Sequence, residues 1–308
     1  MMKLNYTIAK MLCPVLPPIV SQRVRAALIK LADGAVIDRT FKKRSFTGSF
    51  FRGSTTDFHA FKFSVHGYFD WRNIIIANEV LKAKAGHIIE VGANIGTETI
   101  SFSDITAKHK KQVFAFEPLA SNYRILFDNI AFNDLKNVRL FQCLVSDSNG
   151  RSYFKIPAAN DSGSGHIADS SEEGVEEIDV VTLDATIKEE PISLISIDVE
   201  GFEYHVIKGA TKITAKNQPV YIVEVNRNYL EKRAGITVNE FYDFFRNNNY
   251  GCYYVNTFGL EAVNISNFKI KPNKNWVCIP NSQNDLASAI STAIKINALN
   301  PLFSYFYF

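Results

Sequence analysis

The sequence predicts an α/β protein whose core is a doubly wound, mostly parallel sheet. Short apolar runs alternate along residues 87–279 with segments that carry apolar residues at helical spacing. Glycines follow the first apolar run directly, and an acidic residue ends the second. Parallel strands need a crossover between them, so this alternation indicates a parallel sheet with helices on its faces.

Seven apolar runs are predicted as strands of this sheet. They are residues 87–91, 112–116, 138–145, 194–199, 220–225, 252–255 and 276–279. Residues 120–132 form a predicted helix, because large apolar side chains recur there on one face. A later helix begins with the capping box of Thr237 and Glu240 and ends at Gly251.

Three further segments are expected to shape a substrate pocket. Residues 152–156 and 178–183 are predicted as a hairpin, and the Ser-, Gly- and acid-rich stretch 160–177 between them as a mobile loop. An insert around residues 256–275 and the front of the chain complete this group. Nothing in their residues identifies a particular ligand.

Composition narrows the class of protein. The chain has 308 residues, of which 46% are hydrophobic and 21% charged, so it can bury a sizeable core and is not wholly disordered. The net charge of +3 is too small to indicate nucleic acid as a partner. Four cysteines stand far apart without a C-x-x-C pair, which predicts neither a disulfide framework nor a zinc site. A cytoplasmic, reducing compartment is the expected location.

The front of the chain is basic. Residues 1–60 hold ten Lys and Arg against three Asp and Glu, a balance of +7. We predict a helix over residues 21–31 and a basic loop through Lys42, Lys43 and Arg44, together forming a solvated, partly ordered arm. The alternative is a patch that binds an anionic substrate or a membrane surface. Residues 11–20 are apolar but interrupted by three prolines and far shorter than the ~20 residues of a spanning helix, so no integral membrane segment is predicted.

The chain therefore divides into three predicted segments. Residues 1–64 form a basic N-terminal extension, residues 65–284 the α/β domain, and residues 285–308 a C-terminal helix with an aromatic tail. That tail carries Phe303 and an unbroken aromatic run over residues 305–308. We expect it to pack onto the body of the protein or onto a second subunit in a homo-oligomer.

A candidate ligand site lies at the carboxyl ends of the first two strands, where open α/β sheets bind ligands. The first strand carries Glu90 and leads into a turn with Gly92, Ala93, Asn94 and Gly96. Glu117 follows the second strand, 21 residues after Gly96, and a carboxylate there can accept from both hydroxyls of a ribose. The turn is not the G-x-G-x-x-G of a dinucleotide site, and Glu90 would repel a pyrophosphate but suits an ammonium. A ligand with an adenosine end and an amino-acid end, S-adenosylmethionine, fits both acids.

The sequence resembles the FkbM family of S-adenosylmethionine-dependent methyltransferases. Four motifs carry the resemblance: residues 89–96 (IEVGANIG), 114–118 (FAFEP), 129–133 (NIAFN) and 194–203 (LISIDVEGFE). It covers roughly residues 65–260. It implies the class I methyltransferase fold, a Rossmann-like sheet of seven strands with one antiparallel, and O-methylation of hydroxyls on polyketides, sugars or other small molecules. Glu90 departs from the Asp usual in the family.

Methyl transfer to a hydroxyl needs a group that positions the hydroxyl and takes its proton. Asp198 and Glu200 are predicted to do so, because alternate residues at the end of a strand share one side. Glu200 is expected nearer the acceptor and Asp198 nearer the cofactor. The alternative is that Asp198 caps the turn at Gly201 and Glu200 forms a salt bridge. His166, His205 and Glu224 are further candidate bases.

Other functions remain open at the level of sequence. Asp198, Glu224 and Asn226 offer oxygen ligands for a divalent cation, although no metal is part of the preferred prediction. Tyr204 and Lys208 match the spacing of the catalytic pair of short-chain dehydrogenases. A protein that binds the cofactor without turnover is a further alternative. A nucleic-acid methyltransferase is disfavoured, because Asp198-Val199-Glu200-Gly201 stands where Asn/Asp-Pro-Pro-Tyr is expected. The predicted partner is a small-molecule or glycan acceptor.

Overall fold

The computed structural model describes residues 2–156, 165–168, 173–188, 190–265 and 274–303. Its helices are α1 (Met2–Leu12), α2 (Pro18–Leu28), α3 (Gly34–Ile37), α4 (Phe58–His66), α5 (Trp71–Ala83), α6 (Thr99–Lys108), α7 (Ala120–Phe132), α8 (Leu183–Thr186), α9 (Glu203–Lys208), α10 (Thr211–Asn217), α11 (Arg227–Tyr229), α12 (Val238–Asn247) and α13 (Asn284–Ala298). Its strands are β1 (Thr40–Arg44), β2 (Phe50–Ser54), β3 (His87–Val91), β4 (Val113–Phe116), β5 (Val138–Phe141), β6 (Leu144–Val145), β7 (Gly150–Lys155), β8 (His166–Ala168), β9 (Val175–Val181), β10 (Ile192–Ile197), β11 (Val220–Val225), β12 (Tyr250–Asn256), β13 (Gly259–Ala262) and β14 (Lys274–Pro280).

The central sheet confirms the predicted doubly wound architecture. Its eight strands follow the order β13-β12-β14-β11-β10-β3-β4-β5. Strands β5, β4, β3, β10 and β11 are mutually parallel, and β14 runs antiparallel between β11 and β12. The predicted count of seven strands was wrong by one. Thr257 and Phe258 form a turn that folds β13 back onto β12, and this short strand covers what would otherwise be the sheet edge.

Helices cover both faces of this sheet and bury its strands. Every residue of β3 is buried, as expected for a central parallel strand. One face packs against α5 and α13 in a cluster that includes Ile75, Ile88 and Ile290. The other face packs against α9 and α12 in a cluster around Phe241 and Trp276. With both faces covered, the carboxyl edge of the parallel strands is left to hold a ligand.

The N-terminal segment is more structured than the predicted solvated arm. α1 and α4 share a small core that includes Tyr6, Ile37 and Phe61, and the Tyr6 hydroxyl donates to Ser64 Oγ at 2.9 Å. The basic loop predicted at Lys42, Lys43 and Arg44 is instead part of β1, which pairs antiparallel with β2. Alternation explains the correction, because Phe41 and Lys43 are half-buried while their neighbours are exposed. The helix predicted at 21–31 begins earlier, at Pro18.

A second, four-stranded sheet lies beside the cavity described below, in the order β6-β9-β7-β8. β7 and β9 pair antiparallel, as the hairpin prediction required. The mobile loop predicted at 160–177 falls partly outside the described residues. Within its described part, β8 pairs with β7 and β9 begins at Val175, so strand structure replaces loop there. The insert predicted at 256–275 likewise includes β13, and its remainder is only partly described.

The C-terminal segment packs onto the body of the chain. α13 lies against α5, and the Phe303 ring meets those of Phe46, Tyr68 and Trp71 at centroid distances of 4.8–6.0 Å. The aromatic run over residues 305–308 lies outside the described residues, so a role for it in oligomerisation stays a prediction. Within the described ranges, each helix is too short or too polar to cross a bilayer.

Candidate active site

A cavity of about 700 Å³ opens at the carboxyl ends of β3, β4, β10 and β11. Its wall is rich in acidic side chains: Asp70, Glu90, Glu98, Glu117, Asp198, Glu200 and Glu224. Of the residues that line it, Arg233 is a cation and His59 and His166 are imidazoles. The residues predicted to bind the cofactor, together with Asp198 and Glu200, all line this cavity except Gly96. Such a cavity favours a cationic or hydroxyl-rich ligand over an anionic one.

Gly92 connects the loop after β3 with the turn after β10. Its φ of +85° is left-handed, and a Cβ there would stand 1.9 Å from the carbonyl oxygen of Asp198. The backbone N–H groups of Gly92 and Ala93 both donate to the Phe116 carbonyl at 3.0 Å. The loop after β3 is therefore clamped between the ends of β4 and β10, and only glycine fits at position 92.

The rest of the loop turns through two further left-handed residues, Asn94 at φ 51° and Gly96 at φ 91°. Asn94 lines the cavity, and its amide nitrogen lies 2.9 Å from His59 Nδ1. Gly96 does not line the cavity. A Cβ at that position would meet the Leu126 side chain at 2.5 Å, so its small size serves packing of the loop against α7.

Glu117 is held in place by three donors. Its carboxylate accepts from Asn94 N at 2.8 Å, Leu119 N at 3.0 Å and the Asn122 amide at 3.3 Å. These bonds tie the end of β4 to the loop after β3 and to the start of α7. Burial raises the pKa of Glu117 to about 7, and the hydrogen bonds oppose that rise. Each carboxylate oxygen has more than one acceptor site, so Glu117 keeps capacity for a ligand's hydroxyls.

Glu90 is the second buried acid beside the loop after β3. The residue is only 5% exposed, and its Oε2 has no hydrogen-bond partner among the described residues. Burial and the nearby acids Glu98 and Glu117 raise its pKa well above its usual range. A buried carboxylate oxygen without a donor is costly. A bound ammonium would supply both the missing donor and a compensating charge, so these residues fit the amino-acid end of S-adenosylmethionine.

The turn that carries Asp198 and Glu200 differs from its prediction. Strand β10 ends at Ile197, and Glu200 takes a left-handed φ of 54°. Alternation along a strand therefore does not relate Asp198 to Glu200, because the chain turns between them. Both residues nevertheless line the cavity. Arg233 reaches this turn and donates to the backbone carbonyl of Glu200 at 2.5 Å.

Glu203 caps the turn, a role considered for Asp198 in the alternative prediction. Its Oε1 accepts from Gly201 N at 2.9 Å and Val199 N at 3.3 Å. Asp198 instead faces Glu224, which lies near the end of β11. Removal from bulk water and the charge and hydrogen bond of Glu224 raise the pKa of Asp198 well above its usual range. The neighbouring carboxyl of Glu224 therefore favours the protonated form of Asp198 in the free protein.

One wall of the cavity comes from residues that sequence reasoning did not select. His59 on α4 stacks on Phe69 with ring centroids 4.3 Å apart. Asn73 on α5 donates to Glu98 at 3.1 Å, and burial raises the pKa of Glu98 to about 8. Asp57 caps α4 by accepting from Ala60 N, and this N-cap was a usable sequence signal for the helix. No local pattern signals that the helix borders the cavity.

The residues behind the alternative functions lie elsewhere or have other partners. Tyr204 packs on Phe241 and Phe244, and Lys208 pairs with Asp147. Neither Tyr204 nor Lys208 lines the cavity, so they do not form a dehydrogenase site there. His205 also binds Asp147, at 3.1 Å.

The oxygen ligands considered for a divalent cation are not grouped as a metal site. Asn226 caps α11 by accepting from Asn228 N and Tyr229 N, and it does not line the cavity. Arg227, which follows Asn226, pairs with Glu231. Among the described residues, no group of three or more His, Cys, Asp or Glu side chains is arranged to hold a metal ion.

Known structures resemble this fold at low sequence identity. Methyltransferase FkbM from Methylobacillus flagellatus KT is 16% identical over 63% of this chain and 43% of its own, with a TM-score of 0.42. A putative methyltransferase from Streptococcus mutans in complex with SAH is 11% identical over 67% of this chain and 96% of its own, with a TM-score of 0.41. TYW2 from M. jannaschii in complex with AdoMet is 11% identical over 78% and 84%, with a TM-score of 0.38.

The chain thus spans less than half the length of the Methylobacillus flagellatus protein. Among curated proteins, none matches the sequence. A family model described as the Methyltransferase FkbM domain matches residues 90–252, more than half of the chain. That range contains the loop after β3, Glu117, and the turn that carries Asp198 and Glu200. The chain belongs to the FkbM family of S-adenosylmethionine-dependent methyltransferases.

Proposed function

We propose that the protein transfers the methyl group of S-adenosylmethionine to a hydroxyl of a small molecule or glycan. One observation carries the proposal. Two buried acids, Glu90 and Glu117, flank a glycine turn on the cavity wall, and two further acids, Asp198 and Glu200, line the same cavity after the end of β10. The first pair suits the two polar ends of the cofactor, and the second suits an acceptor hydroxyl.

On the cofactor side, each acid has a separate role. Glu117 accepts from the ribose hydroxyls, since its carboxylate is already fixed by Asn94, Leu119 and Asn122. Glu90 accepts from the ammonium of the amino-acid end. Gly92 lets the backbone pass close to the ligand without a side chain in the way. Ala93 and Asn94 complete this wall, while Gly96 supports it through packing.

On the acceptor side, the residues position a hydroxyl and remove its proton. S-adenosylmethionine supplies an already activated methyl on a sulfonium, so the protein needs only alignment, water exclusion and a base. Glu200 orients the acceptor, and Asp198 takes its proton. The positive charge of the cofactor favours the ionised form of Asp198. Cofactor binding thereby prepares the base before the acceptor is methylated.

Methyl transfer itself tests this proposal. The protein is incubated with S-adenosylmethionine tritiated on the methyl group and with a panel of sugars, oligosaccharides and hydroxylated polyketides. We expect label in a hydroxyl-bearing acceptor, as an alkali-stable ether. Label on an amine would contradict O-methylation, and label on RNA would contradict a small-molecule or glycan acceptor. Cofactor binding by calorimetry without transfer to any acceptor would instead favour a non-catalytic S-adenosylmethionine-binding protein.

Cofactor affinity is expected to rise with pH. The pKa of Glu117 is raised to about 7, so at pH 6.0 the carboxyl is mostly protonated and has lost acceptor capacity. At pH 7.5 it is mostly ionised, which should tighten binding roughly eightfold. Calorimetric titration with S-adenosylmethionine at both pH values measures this ratio. Glu117→Gln should reduce the dependence and leave the part that comes from Glu90, whose pKa is also raised. Tighter binding at the lower pH would contradict the assignment.

The reducing compartment predicted for the protein is also part of the proposal. All four cysteines are buried and unbridged. Cys252 and Cys278 stand opposite each other on β12 and β14 with their sulfurs 3.4 Å apart. The four cysteines lie far apart in the sequence without a C-x-x-C pair, and this spacing supports a cytoplasmic location.

A further inference from the structure

The N-terminal helices present an apolar surface that methyl transfer does not explain. Seven large hydrophobic side chains within the first 36 residues are exposed. They are Met2, Leu4, Met11, Leu12, Val15, Val20 and Val36. Three exposed cations, Lys3, Lys10 and Arg23, lie among them. We call these ten residues the N-terminal surface. Scattered exposed apolar residues are ordinary, whereas this concentration in a short segment marks an interaction site.

α1 shows how the surface is organised. Tyr6 and Ala9 are buried against the body of the protein. Leu4 and Met11 are seven residues apart and therefore share a face, which at 3.6 residues per turn points away from Tyr6 and Ala9. Leu4 is 63% exposed and Met11 is 71% exposed. Lys3 and Lys10, again seven apart, flank this face.

α2 continues the pattern. Pro18 and Ser21 are buried, whereas Val20, Arg23 and Ala27 are exposed at helical spacing on the outer side. Leu12 at the end of α1 and Val15 between the two helices belong to the same exposed set. Across the described residues of this surface, no ion pair neutralises Lys3, Lys10 or Arg23. The surface is therefore both apolar and cationic.

The chemistry of the surface identifies its partner. The ten residues combine aliphatic and methionine side chains with two lysines and one arginine. Protein interfaces favour aromatic residues, methionine and arginine but deplete lysine, so the lysines distinguish this surface from a typical protein interface. Helices that lie in a lipid interface instead insert aliphatic residues while lysines reach the headgroups along their flanks. Anionic lipid headgroups complement these cations.

We propose that the N-terminal surface binds the surface of a bilayer that contains anionic lipids. The placement of the cavity fits this arrangement. Leu31, Ala32 and Ala35 follow α2 closely and line the cavity, and Ala32 and Ala35 are exposed. Docking through α1 and α2 would hold this wall of the cavity beside the bilayer. Bilayer binding by this surface does not depend on methyl transfer.

Vesicle sedimentation tests the proposal with the full chain. Phosphatidylcholine vesicles with and without 30% phosphatidylglycerol are the probes. We expect binding to the anionic vesicles, at least tenfold weaker binding to neutral ones, and weakening as salt rises from 0.1 to 0.5 M. Lys10→Glu combined with Met11→Glu should reduce anionic binding at least tenfold. Leu4→Ser with Met11→Ser should also reduce it, since insertion contributes beside charge.

α13 offers a matched control for the double variant. Lys295 and Ile296 are an exposed Lys–apolar pair in a helix, with Ile296 64% exposed. Lys295→Glu with Ile296→Glu should change binding less than twofold. Equal losses of vesicle binding in both double variants, or no sedimentation of the parent with anionic vesicles, would overturn the proposal.

A dimer is the other possible use of this surface. If the parent formed a stable dimer without binding vesicles, and the variant with Lys10→Glu and Met11→Glu were monomeric, the surface would bind a second copy of the chain instead. Thermal unfolding and S-adenosylmethionine titration of each variant separate loss of this surface from misfolding or a failed cofactor site.

Discussion

Replacing Asp198 by Asn is expected to lower methyl-transfer turnover by about 10²–10⁴ while the protein stays folded and binds S-adenosylmethionine. Loss of a general base has this magnitude. Asn is isosteric with the protonated form of Asp198, which its raised pKa favours in the free protein. The substitution should therefore leave the unliganded cavity intact and remove only the capacity to take a proton.

Glu200→Gln separates positioning from proton removal. Because Glu200 lines the cavity at a turn fixed through its own backbone carbonyl, the amide should keep the turn. We expect a smaller fall in turnover and a rise in the acceptor's KM. Asp147→Asn is the matched control, since Asp147 pairs with His205 and Lys208 and does not line the cavity. If the Asp198→Asn enzyme transferred methyl groups at the parent rate, Asp198 would not be the base.

The second large effect is expected from Gly92→Ala. The added Cβ would stand 1.9 Å from the Asp198 carbonyl oxygen, and the left-handed φ of Gly92 is itself unfavourable for alanine. Overpacking and backbone strain together should destabilise the protein by about 4 kcal/mol and abolish cofactor binding. Thermal unfolding and calorimetry report the two effects. The added Cβ would collide with the backbone at Asp198, so a branched side chain such as valine would only worsen the collision.

Gly235→Ala provides the control for backbone conformation. Gly235 also has a left-handed φ, +66°, but a Cβ there meets nothing within 4 Å. This substitution should cost only about 1 kcal/mol and leave cofactor affinity unchanged. Equal destabilisation by the two substitutions would mean that strain alone matters at Gly92. The close approach of Gly92 to the Asp198 carbonyl would then contribute nothing to stability.

The sequence was sufficient to predict the parallel strands and the residues at their ends. Periodicity and burial determine β3, β4, β10 and β11, and residues directly after a parallel strand must lie at the carboxyl edge. Glu90, Gly92 and Glu117 could therefore be placed on one cavity wall from the order of the residues alone. The glycine's contact with Asp198 could not be predicted, because it depends on how two strands pack rather than on local sequence.

Three features escaped prediction for physical reasons. Extrapolating strand alternation to Glu200 failed because a left-handed residue ends the pattern, and nothing local marks a non-glycine as left-handed. The basic run at Lys42 was interpreted as a loop because charge outweighed its weak alternation with Phe41. The wall with His59 was missed because α4 reaches the cavity only through long-range packing.

Calorimetric titration of Glu117→Ala with S-adenosylmethionine tests the central claim most directly. Asp184→Ala is its control, because Asp184 also accepts from two backbone N–H groups, those of Lys212 and Ile213, but does not line the cavity. Both variants should lose some stability. Only Glu117→Ala should weaken cofactor binding, by about 2 kcal/mol or more, since two charge-assisted hydrogen bonds to the ribose are lost. Parent-like affinity in a folded Glu117→Ala protein would contradict this placement of the cofactor.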